Sequence, residues 1–466
     1  MNPLFKSCIL ALFIFLLFPG CQKFVQIGPP NTQLVTSNVF TSSPTATAAQ
    51  TVIYTNMSNN LESYLLSLDN GLLADELTNY TTDNFQTAIY HDALNVGLGG
   101  IGPWTNAYNY IYQSNAIIAG LRNNNFIPAK VSNQLSGESK FVRAFWYFYL
   151  INLYGDVPLI TGTDYTVNST APRMPKAQVY QQVIADLTDA EGLLNNNYVD
   201  ISDTTITSER VRPNKSAAAA MLARTYLYLK KYDSAEAKAT EVINNNIYVL
   251  NSNLDNVFLK NSSEAIWQLM IPLPTSFNTW DGFLYILTSA PNNVAISPDL
   301  MSNFEAGDNR KSHWIGTYNT TNPQTSYYFV NKYKNISSTV TEYNMVLRLA
   351  EQYLIRAEAR AQQGNLSGAI SDLNIIRNRA GLANTSASTQ SALLIAILHE
   401  RQSELFVEWG HRWFDLIRTG TINSVMGSPG NACQSKGGIW NPNSQLYPIP
   451  QAEINVNPNL TQNPGY

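Results

Sequence analysis

The run Glu138-Ser-Lys-Phe-Val-Arg-Ala-Phe-Trp-Tyr-Phe-Tyr-Leu-Ile-Asn-Leu-Tyr-Gly-Asp-Val-Pro-Leu159 is apolar on too many sides to lie on a protein surface. Its spacing predicts a helix over about 134–154. A surface helix carries one apolar stripe, whereas here Phe145, Trp146, Phe148 and Tyr149 help to encircle the axis, so the helix belongs inside a core. A chain of 466 residues with 44% hydrophobic content can build the large core that such a helix requires.

Outward from this helix the pattern stays helical. Leu61, Tyr64, Leu65 and Leu68 fall at i, i+3, i+4 and i+7. Comparable periods recur over about 104–122, 176–195, 214–230, 233–245, 345–363, 366–380 and 390–409, so the class is all-α. The period lapses between about 247 and 344, where Gly, Pro, Asn and aromatic residues predict a loop-rich insertion with short strands. Two helix pairs share one spacing. Ala223, Tyr226, Tyr232, Ala235, Ala239 and Val242 superpose on Ala357, Arg360, Leu366, Ala369, Leu373 and Ile376 at a constant offset. Small residues at the first and fourth places let antiparallel helices approach closely, and Gly364 turns the second pair, which is the logic of a tetratricopeptide hairpin. Such units make scaffolds and interaction surfaces.

The amino terminus reads as a secretory leader. Lys6 supplies the positive region, Cys8 to Phe18 is an unbroken apolar run, and Pro19-Gly20-Cys21 follows. That run is too short to span a bilayer, which takes about 20 residues. The layout is that of a lipoprotein signal over residues 1–20, with Cys21 as the lipidated residue. Residues 21–50, rich in Thr, Ser, Pro and Asn, read as a flexible tether, and regular structure is expected from about Thr51, giving one domain over 51–466.

A formal net charge of −4 with no Lys/Arg-dense stripe argues against a nucleic-acid partner. Behind the lipidated Cys21 the body holds only Cys433, which excludes an intramolecular disulfide. His91, His313, His399 and His411 show no HxxxH spacing, so no metal and no cofactor is expected.

Several segments together resemble the SusD/RagB family of outer-membrane nutrient-binding lipoproteins. They are Glu138 to Leu159, Arg212 to Leu229, Leu347 to Ala359, Glu400-Arg-Gln-Ser-Glu-Leu-Phe-Val-Glu-Trp-Gly-His-Arg-Trp-Phe-Asp-Leu416, Leu446 to Gln451 and Asn457 to Tyr466, all in the family's order. The resemblance implies a helical domain on four tetratricopeptide-like helix pairs, lipid-anchored in the outer membrane and facing outward. It implies a binding protein, not an enzyme. Such a protein captures oligosaccharide and delivers it to a partner TonB-dependent transporter of the SusC type. The acidic export signal that often follows the lipidated cysteine is missing from Gln22-Lys-Phe-Val25. A peptide-capturing member of the family and a structural interaction scaffold stand as alternatives.

The carboxylate column Glu400, Glu404, Glu408 has a spacing that a glycosidase could use, with Arg401, His411 and Arg412 as nearby partners, but in a binding family it reads as structural. Asp308 and Arg310 read as an ion pair that fixes a turn. Candidate ligand residues are aromatics outside the helical frame. Twelve of the 68 residues from Ile266 to Tyr333 are Trp, Tyr or Phe, more than a loop-rich stretch can bury. Sugar rings stack on such faces while Asn, Asp and Arg read hydroxyls. Trp280 leads, flanked by Asn278 and Asp281, followed by Tyr285, Trp314, Tyr327 and Tyr328. Asp75, with Glu76 beside it, opens an Asn/Tyr/Thr-rich stretch expected to be a loop over 77–102, which holds Tyr80; Trp104, expected to begin a helix, completes the set.

Overall fold

The computed structural model describes residues 36–98, 101–272, 276–427 and 431–466. The leader and Cys21 lie outside them. Helices α1 (Ser43–Asn59) and α2 (Glu62–Leu73) are followed by strand β1 (Leu77–Asn79) and α3 (Asn84–Tyr90). The helical frame continues with α4 (Trp104–Leu121), α5 (Ala129–Tyr154), α6 (Lys176–Leu193), α7 (Lys215–Tyr228) and α8 (Tyr232–Ile243). The insertion holds β2 (Ala265–Leu269), α9 (Trp280–Tyr285), β3 (Val294–Ile296), α10 (Pro298–Asn303), α11 (Asn309–His313), β4 (Ile315–Asn319), β5 (Ser326–Val330) and β6 (Asn344–Arg348). The frame resumes in α12 (Leu349–Gln362), α13 (Leu366–Arg379), α14 (Gln390–Leu405) and α15 (His411–Thr419), and α16 (Ala432–Ser435) lies in the last stretch.

Every residue of α5 from Phe141 to Tyr154 is buried, as its all-round apolar pattern requires. Trp146 stacks on Tyr110 of α4 at 5.1 Å. The one guanidinium in this run, Arg143, reaches Asp186 of α6 through two bonds of 2.8 and 2.6 Å, so its charge is matched where water is excluded.

The two hairpins with common spacing are α7/α8 and α12/α13. Ala223, Ala235, Ala239 and Val242 are fully buried, and so are their counterparts Ala357, Ala369, Leu373 and Ile376. Gly364 turns the second pair at φ +81°; at the same place in the first pair stands Lys230, at φ +57°. Although more than a hundred residues separate the pairs in sequence, α8 packs on α12 and joins them into one array.

The insertion is tied at its base. β2 and β6, at its two ends, pair antiparallel with Ala265 opposite Arg348, so residues 345–348, expected to open a helix, form a strand instead. Trp267 of β2 meets Phe141 and Phe145 of α5 edge to face at 5.0 and 5.3 Å, which fuses the insertion to the central core.

The start of the domain is also corrected. Residues 43–50, assigned to the tether, are the first turns of α1. Pro44 stands in its first turn, where a missing N–H costs nothing. The helix carries little hydrophobic contrast because polar contacts seat it: Gln50 accepts from Ser139 Oγ at 2.6 Å and the Tyr54 hydroxyl donates to Glu138 at 2.7 Å. Among the described residues no helix is long and apolar enough to cross a membrane.

Candidate functional site

One cleft gathers the insertion, the segment after α2 and the last stretch of chain. β1 pairs antiparallel with β3, Leu77 opposite Ile296, and the Tyr80 N–H extends the pairing by donating to the Asn293 carbonyl at 2.7 Å. Gln86 locks the turn after Tyr80, its amide donating to Asn79 Oδ1 at 3.0 Å and Asn293 Oδ1 at 2.8 Å. β4 and β5 form a hairpin with Tyr318 opposite Tyr327 and Thr317 opposite Tyr328. Gly316 lies beneath the Phe329 ring, where a Cβ would sit 2.1 Å from it, so the hairpin's flat packing depends on that glycine. β5 packs beside β3, bringing Tyr80 and Tyr327 into an edge-to-face contact at 5.6 Å.

The resulting cavity measures about 740 Å³ and is lined by Tyr80, Tyr90, Tyr327, Tyr328 and Lys311 among others. Tyr80 is 41% and Tyr328 37% exposed, and Tyr327 and Tyr90 are half-buried. At one end the floor is Asp75, held by Arg412 through Nε at 2.8 Å and also through Nη2. Ser297 caps α10 by accepting from the Leu300 N–H at 3.0 Å and donates to the Asp75 carbonyl at 2.5 Å. Lys436, just past α16, donates to the carbonyls of Leu72, Leu73 and Ala74 and pins the last stretch to the end of α2. Rigid donors on regular elements and tyrosines on a rigid hairpin leave little to order when something enters.

Four of the nine residues singled out from sequence, Asp75, Tyr80, Tyr327 and Tyr328, therefore converge. The other five do not reach this cleft. Trp314 is fully buried, its indole N–H donating to the Leu254 carbonyl at 3.0 Å. Tyr285 is 2% exposed against Tyr64. Asp281 is buried and accepts from Asn344 at 2.6 Å and Ser63 at 3.3 Å; burial pushes its carboxyl up to about 7. Trp280 is half-buried against Phe277 at 4.6 Å and lines a crevice beside α2 instead. Trp104 does begin α4, and it is buried against Tyr108 and Tyr154. Tyr285 and Trp314 share one reason: the insertion packs into the same core as α5 and buries aromatics that local sequence reads as surplus, while Trp104, outside the insertion, joins that core from α4. Tyr90, Lys311 and Asp299 were missed. Tyr90 lies inside the flagged segment 77–102; no local signal distinguishes the other two.

The carboxylate column faces the core. Arg310 meets Glu400 at 2.6 Å and Glu404 at 3.0 Å, Arg348 meets Glu404 at 2.5 Å and Glu408 at 2.9 Å, Arg379 pairs with Glu404, and Lys332 with Glu408 at 2.5 Å. Burial pushes the Glu404 carboxyl up, but Arg379, Arg348 and Arg310 outweigh it and hold it well below the usual range. A glycosidase acid needs a raised pKa in an open cleft; Glu404 has neither. The partners expected from sequence are engaged elsewhere: Arg401 pairs with Asp415 at 2.7 Å and Arg412 with Asp75. Asp308 caps α11 and pairs with Arg310 at 2.8 Å, fixing that turn.

Packed helix pairs carrying a tied insertion, with a tyrosine-walled cleft on it, define a helical-repeat protein of the SusD-like architecture. A model described as the SusD family matches residues 261–466, and one described as starch-binding, associating with outer membrane, matches residues 40–227. The chain belongs to the SusD/RagB family. A SusD-like protein of Formosa agariphila is 26% identical over 421 residues, covering 78% of this chain and 79% of that one. The starch-binding protein SusD of Bacteroides thetaiotaomicron is 38% identical over 128 residues, 26% of this chain and 21% of that one. Among solved structures, a SusD superfamily protein from Bacteroides vulgatus superposes with TM-score 0.79 at 21% identity, covering 92% of this chain and all of that one. A laminarin-binding SusD-like protein superposes with TM-score 0.72 at 24% identity, covering 90% and 99%.

Proposed function

We propose that this protein captures oligosaccharide in the Tyr80/Tyr327/Tyr328 cleft and passes it to a TonB-dependent transporter, while Cys21 anchors it by lipid to the outer membrane with the cleft outward. The observation that carries the reading is the convergence of solvent-facing tyrosines from two strand systems on one open cavity. Flat phenol faces suit the C–H faces of sugar rings, and each hydroxyl is a second handle. The starch-binding description of the matched amino-terminal model and the laminarin-binding structural neighbour support a glycan as ligand. The leader supports the anchor, and the paired helix faces supply a surface broad enough for a protein partner.

Calorimetry of the chain without its leader, against starch, laminarin and other oligosaccharides and against peptides, tests the capture. Tyr80→Ala and Tyr327→Ala each weaken glycan affinity about tenfold by removing a stacking face. Trp314→Phe lowers the melting temperature and leaves affinity unchanged. Binding to peptides alone would transfer the cleft to peptide capture.

A further inference from the structure

A second cavity of about 430 Å³ adjoins the tyrosine cleft and shares with it Asp75, Asp299, Ser302 and Ser435. Its own walls are different in kind: Asn303, His399, Gln402 and Asn431, with no aromatic ring apart from the imidazole. Each cavity alone falls within the roughly 300–1,000 Å³ of a small-molecule site. A ligand that fills both must be a chain, stacked on rings in the first chamber and read by amides in the second.

The charges narrow its class. Among the described residues no Lys or Arg lines the second chamber. Asp299 is exposed there, while Asp75 is already neutralised by Arg412. In the first chamber the Lys436 ammonium is committed to three carbonyls and to Asp92 at 3.0 Å, which leaves Lys311 as the one lysine there without an ion pair among the described residues. An acidic polymer would meet one free cation and a facing carboxylate.

We propose that the two chambers form a single two-part groove for a neutral, hydroxyl-rich oligosaccharide chain that crosses the rim at Ser302 and Ser435, a deepening that rests on the capture reading. The Ser302 side chain is exposed and its hydroxyl donates to the Asp299 carbonyl at 2.8 Å, so a larger side chain there blocks the crossing without entering the core.

The probes are neutral laminari-, malto-, xylo- and manno-oligosaccharides from disaccharide to heptasaccharide, with polygalacturonate oligomers as the acidic control, titrated calorimetrically into the chain without its leader. For at least one neutral series, affinity rises with chain length. Ser302→Trp removes that rise, a loss of about tenfold for the longest chains. Gln402→Ala and His399→Ala reproduce the length-dependent loss, with melting temperatures confirming that each variant folds. Affinity independent of length, a Ser302→Trp variant that binds long chains like the parent, or tighter binding of the acidic oligomers overturns the two-part groove while the capture reading stands. Absence of binding by every neutral series, or binding indifferent to Tyr327→Ala, overturns the capture reading itself.

Discussion

Lys230 shows how a single residue carries the mark of an internal repeat. It turns the first hairpin where Gly364 turns the second, and it does so with a left-handed backbone. A Cβ in that region costs roughly 1 kcal/mol, which glycine avoids. Lys230→Gly is therefore expected to stabilise the protein by about 0.5–1 kcal/mol, read as a higher urea midpoint at unchanged slope; a fall in the midpoint would refute the account. The same scale separates Tyr327 from Trp314. Both are aromatic, both stand among polar neighbours, and local sequence ranks them together. The ring at 314 is sealed by Phe258 and by Lys332, whose ammonium lies 5.1 Å from its centroid, whereas the strand pairing of β5 leaves the ring at 327 half-buried against Tyr80 in the wall of the cleft. No property of either residue's sequence neighbourhood encodes that difference.

At the scale of elements, α14 is held by charge as well as by the apolar packing of Leu393, Ile397 and Leu405. Glu400, Glu404 and the following Glu408 rise through the core on one face, and cations from α11, β6, α13 and the segment after β5 close on them. Removing one partner from such a network leaves uncompensated charge without water, which costs about 3–5 kcal/mol. Glu404→Gln is expected to destabilise by that order in chemical denaturation, with glycan affinity at saturating stability unchanged because the column does not line the cleft. Loss of affinity with full stability would reverse the assignment. The column's spacing was legible in sequence; its partners were not, because they arrive from elements as far away as Arg310.

The whole molecule should be most stable on the acid side of neutrality. Burial raises Glu62, Asp69 and Asp281 to about 7 and Glu76 to about 8. A carboxyl raised in the folded state favours the protonated form, so its contribution is complete below the unfolded value near 4 and is lost as pH climbs to 7 or 8. Glu404, Glu408 and Asp415 are shifted the other way, burial being outweighed by their arginine and lysine partners, so their contribution holds above about pH 4 and disappears below it. Melting temperature should thus peak at about pH 5 and fall on both sides. Glu62→Gln keeps an oxygen to accept from Tyr110 and Asn106, at 2.9 and 2.8 Å, without the buried charge. It should raise the melting temperature at pH 8 more than at pH 5; an equal rise at both would contradict the burial argument. By itself the sequence determined the helical class, the buried α5, the common spacing of the two hairpins and the family, because each is written in residues close together along the chain, where helical periodicity acts. Only the tertiary structure decided that the two hairpins adjoin, that α1 begins at Ser43, and that Tyr80 meets Tyr327 while Trp314 and Tyr285 sink inward. Those outcomes depend on which distant surfaces exclude water from one another, and burial is a property of the assembled core.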